Sequence, residues 1–161
     1  DVIAGVLESL GFKSEAFMGA IKEAVDYGLS TRSVKWYPDA LPVLSTLRKR
    51  GYKLGLISNT HWRLLDSLRT KMERIFDAVT VSYEHVYAKP HPSIFLATLK
   101  KLGVEANRCL HVGDDPVADV QGAKKVGMKT AFIKRTSFEA DADIIIERLD
   151  QLLKLLNKSS R

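Results

Sequence analysis

Apolar and polar positions change their rhythm several times along the chain. Residues 2–10 carry apolar side chains at helical spacing and stop at Gly11. Ser14 can cap a second helix that runs to about Tyr27 and ends at Gly28. The stretch 29–37 is more polar and reads as a connection. Pro38 and Asp39 open a helix that reaches Arg50, with Leu41, Leu44 and Leu47 read as one face and Gly51 as its stop. The period then shortens. Residues 53–58 form a short apolar strand that ends in the polar run Ser58-Asn59-Thr60, and a helix follows over 62–72. Ala78-Val79-Thr80-Val81 is a second strand. His91-Pro92 opens a helix that closes at Gly103. A third strand over 109–113 leads into a helix over 117–126, and a fourth covers 129–133. Residues 143–146 read as a short edge strand and 149–156 as a terminal helix, with 157–161 a frayed tail.

Strand and helix alternating through short turns predict an α/β fold, a mainly parallel sheet with helices on both faces and right-handed crossovers. The 161 residues suffice for one domain, or one domain with a small appendage, and the only boundary falls near 29–37. Composition is globular, with 45% hydrophobic and 27% charged residues. The single cysteine, Cys109, opens an apolar run and reads as a small core residue, and one cysteine forms no internal disulfide. With no visible signal peptide and no run of membrane-spanning length, the expected compartment is the cytoplasm, away from membranes. A net charge of +6 raises the question of nucleic acid. The basic residues are short clusters, Arg48-Lys49-Arg50, Lys100-Lys101 and Lys124-Lys125, each near an expected helix C-terminus, where cations complement the dipole. No aromatic-interleaved basic motif or zinc-finger pattern accompanies them, so no nucleic-acid partner is expected.

Chemistry concentrates at expected strand ends. Leu110-His111-Val112-Gly113-Asp114-Asp115 runs from apolar strand into carboxylates, and Asp119 falls in the start of the next helix. Carboxylates at the carboxyl end of a buried strand lie where α/β sheets bind ligands, and they suit a hard cation such as Mg²⁺. Each also has a plainer reading as support for a helix start, which fits Asp115 best because Pro116 would then be the first helical residue. Asp114 and Asp119 are left to face the site. Ser58-Asn59-Thr60 can hold a phosphate oxygen through a hydroxyl and backbone amides, or be a polar turn and cap. Lys89, between Ala88 and Pro90, can neutralise a developing negative charge, or be a solvent lysine in a turn. His61 and His85 follow strand ends and read as ordinary loop residues or substrate contacts. Trp36, Trp62 and Met72 read as packing, and His111 as facing a covering helix.

Together these segments resemble the haloacid dehalogenase-like hydrolase superfamily. The resemblance covers about residues 37–145 and rests on five segments in order. They are Tyr37-Pro38-Asp39-Ala40-Leu41-Pro42-Val43-Leu44, Leu56-Ile57-Ser58-Asn59, Ala88-Lys89-Pro90-His91-Pro92-Ser93-Ile94-Phe95, His111-Val112-Gly113-Asp114 through Asp119, and Gly122-Ala123-Lys124-Lys125-Val126-Gly127-Met128. The resemblance implies a Rossmann-like three-layer fold with an inserted helical cap. It casts Ser58 as the hydroxyl that binds the transferring phosphoryl, with Asn59 flanking it through its backbone. Lys89 would neutralise phosphoryl and nucleophile. Asp114 would be the Mg²⁺ ligand, with Asp119 as its partner, acting on the metal through water or on Lys89. The family's usual reaction is attack by an aspartate on a phosphate ester, then hydrolysis of the aspartyl-phosphate.

The first family motif, an apolar strand followed by Asp-x-Asp-x-Thr, has no counterpart before these segments. Asp1 has no strand before it, and Val2-Ile3-Ala4-Gly5 lacks the second Asp. Residues 1–33 then resemble the last helices of the cap, and 34–161 the α/β core without its first strand. That strand is central in the family fold, between those ending here at Ser58 and Gly113. Its loss would expose two edges whose backbone groups cost about 1–3 kcal/mol each if buried unsatisfied. A separate N-terminal polypeptide, or less readily a swapped element, is expected to supply it. The leading expectation is a Mg²⁺-dependent phosphatase of small phosphorylated metabolites. A non-catalytic binding module on the same fold and a haloacid dehalogenase are the alternatives, and Asp114 followed by Asp119 favours the phosphatase over the dehalogenase.

Overall fold

The computed structural model of the protein describes residues 36–60, 70–135 and 137–158. The helices expected before residue 36, the division of the chain at 33/34, and His61 and Trp62 lie outside the described residues.

Helix α1 spans Ala40–Lys49 and buries Ala40, Val43 and Leu47. This corrects the face expected from Leu41, Leu44 and Leu47: Leu41 is 43% exposed and Leu44 half-buried. The helical period explains the shift. At about 100° per residue, positions 40, 43 and 47 fall within roughly 60° of one another, whereas 41 and 47 lie about 120° apart. Gly51 follows the helix with φ +82°, a left-handed conformation that only glycine adopts without strain.

Strand β1, Gly55–Ser58, pairs in parallel with β2, Ala78–Val81, with Leu56 opposite Val79 and Ser58 opposite Val81. A helical stretch over 70–75 precedes β2. Helix α2, Pro92–Leu102, begins as expected at His91, whose side chain accepts from the Ser93 N–H, with Pro92 as first helical residue. It ends at Gly103, φ +61°. Strand β3, Leu110–Gly113, pairs in parallel with β4, Lys129–Ile133, and β4 with β5, Ile144–Ile146. Between β3 and β4 the expected helix is in two parts: a π-helical stretch, Pro116–Gln121, and a short α3, Gly122–Lys125. Helix α4, Gln151–Lys158, closes the described chain.

The strands form two separate parallel sheets, β1-β2 and β3-β4-β5. Among the described residues no strand pairs with the second edge of β1 or of β3. Helices and strands both supply the core. Val43 and Leu47 of α1 meet Leu54 and Phe76, with Trp36 and Met72 packed against them as expected. Ile94 and Phe95 of α2 meet Ala123 of α3, with Ile57 of β1 beside them. Ala131, Ile133, Ile146 and Leu152 form a third cluster under β4 and β5. Side chains of the basic clusters engage the fold: Arg48 pairs with Asp77 at 2.8 Å, Lys101 donates to the Val79 carbonyl at 2.8 Å and Lys124 pairs with Asp141 at 3.0 Å. Among the described residues no helix is long and apolar enough to cross a membrane.

Candidate active site

The carboxyl ends of β1 and β3 carry Ser58-Asn59 and Gly113-Asp114, and hydrogen bonds connect the two regions through Lys89. The Asn59 carboxamide bonds the Lys89 peptide from both sides. Its Oδ1 accepts the Lys89 N–H at 2.9 Å, and its Nδ2 donates to the Lys89 carbonyl at 3.0 Å. Two such bonds fix the backbone from which the Lys89 side chain leaves. The ammonium then reaches Asp119, with Nζ 2.5 Å from Oδ1. Both side chains are largely buried, with 12% and 6% of their surface accessible.

Asp119 is the hub. His111 Nε2 lies 3.1 Å from the same Oδ1, and the Asp115 N–H donates to Oδ2 at 3.1 Å. Burial pushes this carboxyl's pKa up. The hydrogen bond from His111 and the charge and hydrogen bond of Lys89 overcome that and hold it well below the usual carboxylate range. Asp119 is therefore an anion at any pH near neutral, and its partners keep it fixed.

The local chain is shaped to bring Asp119 in. Asp115 caps the following turn as expected, its Oδ1 accepting from the N–H groups of Val117 and Ala118 at 2.8 and 2.7 Å. The Val120 N–H then bonds back to the Asp115 carbonyl, the five-residue step of a π-helix, a form that recurs at functional sites. Gly113 leaves the space the carboxylate occupies: a Cβ there would stand 2.2 Å from Asp119 Cγ. Gly122 does the same for α2, since a Cβ would stand 2.7 Å from the Phe95 ring.

The other expected residues fall as follows. Ser58 ends β1 half-buried, next to Asn59. Asp114 stands exposed at the tip of β3. His85 bonds locally, its Nδ1 accepting the Tyr87 N–H at 3.3 Å, outside the network on Asp119. Cys109 is half-buried, and burial raises its thiol pKa. His111 packs against α2 through Phe95, as its alternation implied, but it also bonds Asp119. The available signal was strand period: His111 and Gly113, two apart on β3, share a face. The carboxamide role of Asn59 had no signal in the sequence, because pairing two loops depends on tertiary placement.

Parallel strands with flanking helices define an α/β protein, and a buried lysine–carboxylate pair lies at its strand ends. Residues 8–127 match the haloacid dehalogenase-like hydrolase family, and the chain belongs to it. It is 37% identical over 134 residues to a glyceraldehyde 3-phosphate phosphatase of Pyrococcus abyssi, covering 76% of this chain and 56% of that protein. A crystal structure of a HAD phosphatase from Thermococcus onnurineus superposes with TM-score 0.70 at 38% identity, over 76% of this chain and 58% of the other. A 2-haloacid dehalogenase from Pseudomonas syringae pv. Tomato superposes with TM-score 0.72 at 29% identity, over 94% and 66%. The chain spans about half the length of the curated phosphatases it matches, 46% of one and 55% of another.

Proposed function

We propose that the chain is part of a phosphate-ester hydrolase that acts on small phosphorylated metabolites in the cytoplasm. The observation that carries this is the fixed line from Asn59 through Lys89 to Asp119 across the carboxyl ends of β1 and β3. A lysine ammonium with its peptide clamped and paired with a buried carboxylate is a preorganised partner for an incoming phosphoryl group. Ser58 contributes a hydroxyl to the same phosphoryl, and Asn59 a backbone amide. The Pyrococcus abyssi phosphatase and the Thermococcus onnurineus HAD phosphatase are 37% and 38% identical to the chain and the dehalogenase structure 29%, which favours phosphate over halide as the group removed.

The nucleophile in this reading is an aspartate on an Asp-x-Asp segment from further polypeptide, whose strand fills the place between β1 and β3. Its carboxylate attacks phosphorus, the alcohol leaves, and water hydrolyses the aspartyl-phosphate. Lys89 and Ser58 hold the phosphoryl oxygens throughout. The donors fit a small hard cation. Asp114 presents an exposed carboxylate, and Asp119 acts through water or through Lys89, because its own oxygens already accept three donors. Among the described residues no group of three or more His, Cys, Asp or Glu side chains gathers to hold a metal. Asp114 would hold Mg²⁺ directly and Asp119 through one of the several waters the ion keeps, with a further carboxylate from the Asp-x-Asp segment. When bound, Mg²⁺ supplies charge neutralisation at the phosphoryl oxygens.

The test is steady-state hydrolysis of p-nitrophenyl phosphate by the protein together with that segment. Turnover that EDTA abolishes and added Mg²⁺ restores is expected. Absence of turnover from the complete protein with Mg²⁺, on this ester and on a panel of phosphorylated metabolites, overturns the reading and leaves the binding module.

A further inference from the structure

Asp119 Oδ1 has two donors competing for it: the Lys89 ammonium at 2.5 Å and His111 Nε2 at 3.1 Å. Opposite a carboxylate, Nε2 carries its proton whether the ring is neutral or charged. The imidazole is also held in place. Its ring meets the fully buried Phe95 edge-on, with centroids 5.2 Å apart and planes at 76°. Only 11% of its side-chain surface is accessible.

We infer that His111 is a positioning residue that weakens the grip of Asp119 on Lys89, leaving ammonium charge available to an incoming phosphoryl group. Two donors on one oxygen draw on the same electron density, so each bond is weaker than it would be alone. Without His111, Asp119 concentrates its charge on Lys89 and closes the ammonium against a third partner. The catalytic consequence rests on the phosphoryl-transfer reading above, but the competition for Oδ1 does not.

Competitive acetylation of lysines at fixed pH, resolved by mass spectrometry, reads how tightly Lys89 is held. The comparison is wild type, His111→Gln, His111→Asn and His111→Phe. The Gln Nε2 reaches the place of the imidazole Nε2 and the shorter Asn does not, so two similar amides differ in the donor. Lys89 is expected to label about five-fold more slowly in His111→Asn and His111→Phe, the size of one lost charged hydrogen bond's competition. His111→Gln is expected to match wild type, and exposed Lys100 and Lys125 to label equally in all four. Unchanged or faster labelling of Lys89 in His111→Asn, with those controls constant, overturns the inference. If His111→Phe loosens the fold, all lysines label faster in it, and the Asn and Gln pair decides. In the complete enzyme His111→Asn is expected to raise KM for p-nitrophenyl phosphate about five-fold with little change in kcat, and His111→Gln to reverse this. Should wild type hydrolyse no phosphate ester, the phosphoryl reading fails while the labelling still decides the role of His111.

Discussion

The behaviour of Asp119 decides most of what the site can do. Buried carboxylates are costly, and this one persists because Lys89, His111 and the Asp115 N–H all meet it. Its pKa is lower in the fold than in the unfolded chain, so its contribution to stability is full above about pH 4 and drains away as the pH falls through the folded value. Urea unfolding as a function of pH is expected to show this loss below about pH 4, and Asp119→Asn to flatten it. Replacing Asp119 also leaves Lys89 without its counter-ion, at a cost of roughly 3–5 kcal/mol by the usual behaviour of broken buried pairs. Gly113→Ala tests the same packing from the strand. Its methyl would overlap the carboxylate, so a loss of about 1–3 kcal/mol in chemical denaturation is expected, together with displaced Asp119. At this scale the caps were legible in the sequence, because Asp115-Pro116 and His91-Pro92 act through local bonds. Strand period placed His111 but not its bond to Asp119, and the partner of Asn59, 30 residues away, is set by packing.

Elements were legible where the apolar rhythm was strong. Ala78–Val81 and Lys129–Ile133 fall where the β-branched runs place them, and the other strands start within about two residues of expectation. Two features departed. The α1 face follows Ala40, Val43 and Leu47, because the period of 3.6 outweighs a visually regular row of leucines. Val43→Ala is therefore expected to cost about 2 kcal/mol in a denaturant melt, since Val43 is 2% exposed, while Leu41→Ser stays within about 0.5 kcal/mol. The second is the stretch Pro116–Gln121. Sequence period could not distinguish its wider π-helical turn from an α-helix, because the extra residue is stabilised by Asp115 capping and by the placement of Asp119.

Over the whole molecule, the two sheets present unpaired edges on β1 and β3 among the described residues, at the place where the family resemblance puts a further strand. The succession of strands and helices could be read from alternation and short turns, but their division into two sheets could not, because strand pairing is set by tertiary placement. An added strand there is expected to raise the melting temperature of the described unit as well as bring the nucleophile beside Lys89. The network on Lys89 is already formed in this chain, so under the proposed function the Lys89 ammonium is held in place before a nucleophile arrives.

The most direct measurement compares turnover of p-nitrophenyl phosphate, with Mg²⁺ and the Asp-x-Asp segment supplied, between wild type and Lys89→Met. With circular dichroism showing the same fold in both, kcat/KM is expected to fall roughly 100-fold or more, the scale of losing one preorganised charge at a transferring group. Equal turnover in the two proteins would mean that Lys89 does not face the phosphoryl, and the line from Asn59 to Asp119 would then be a structural brace rather than an active site.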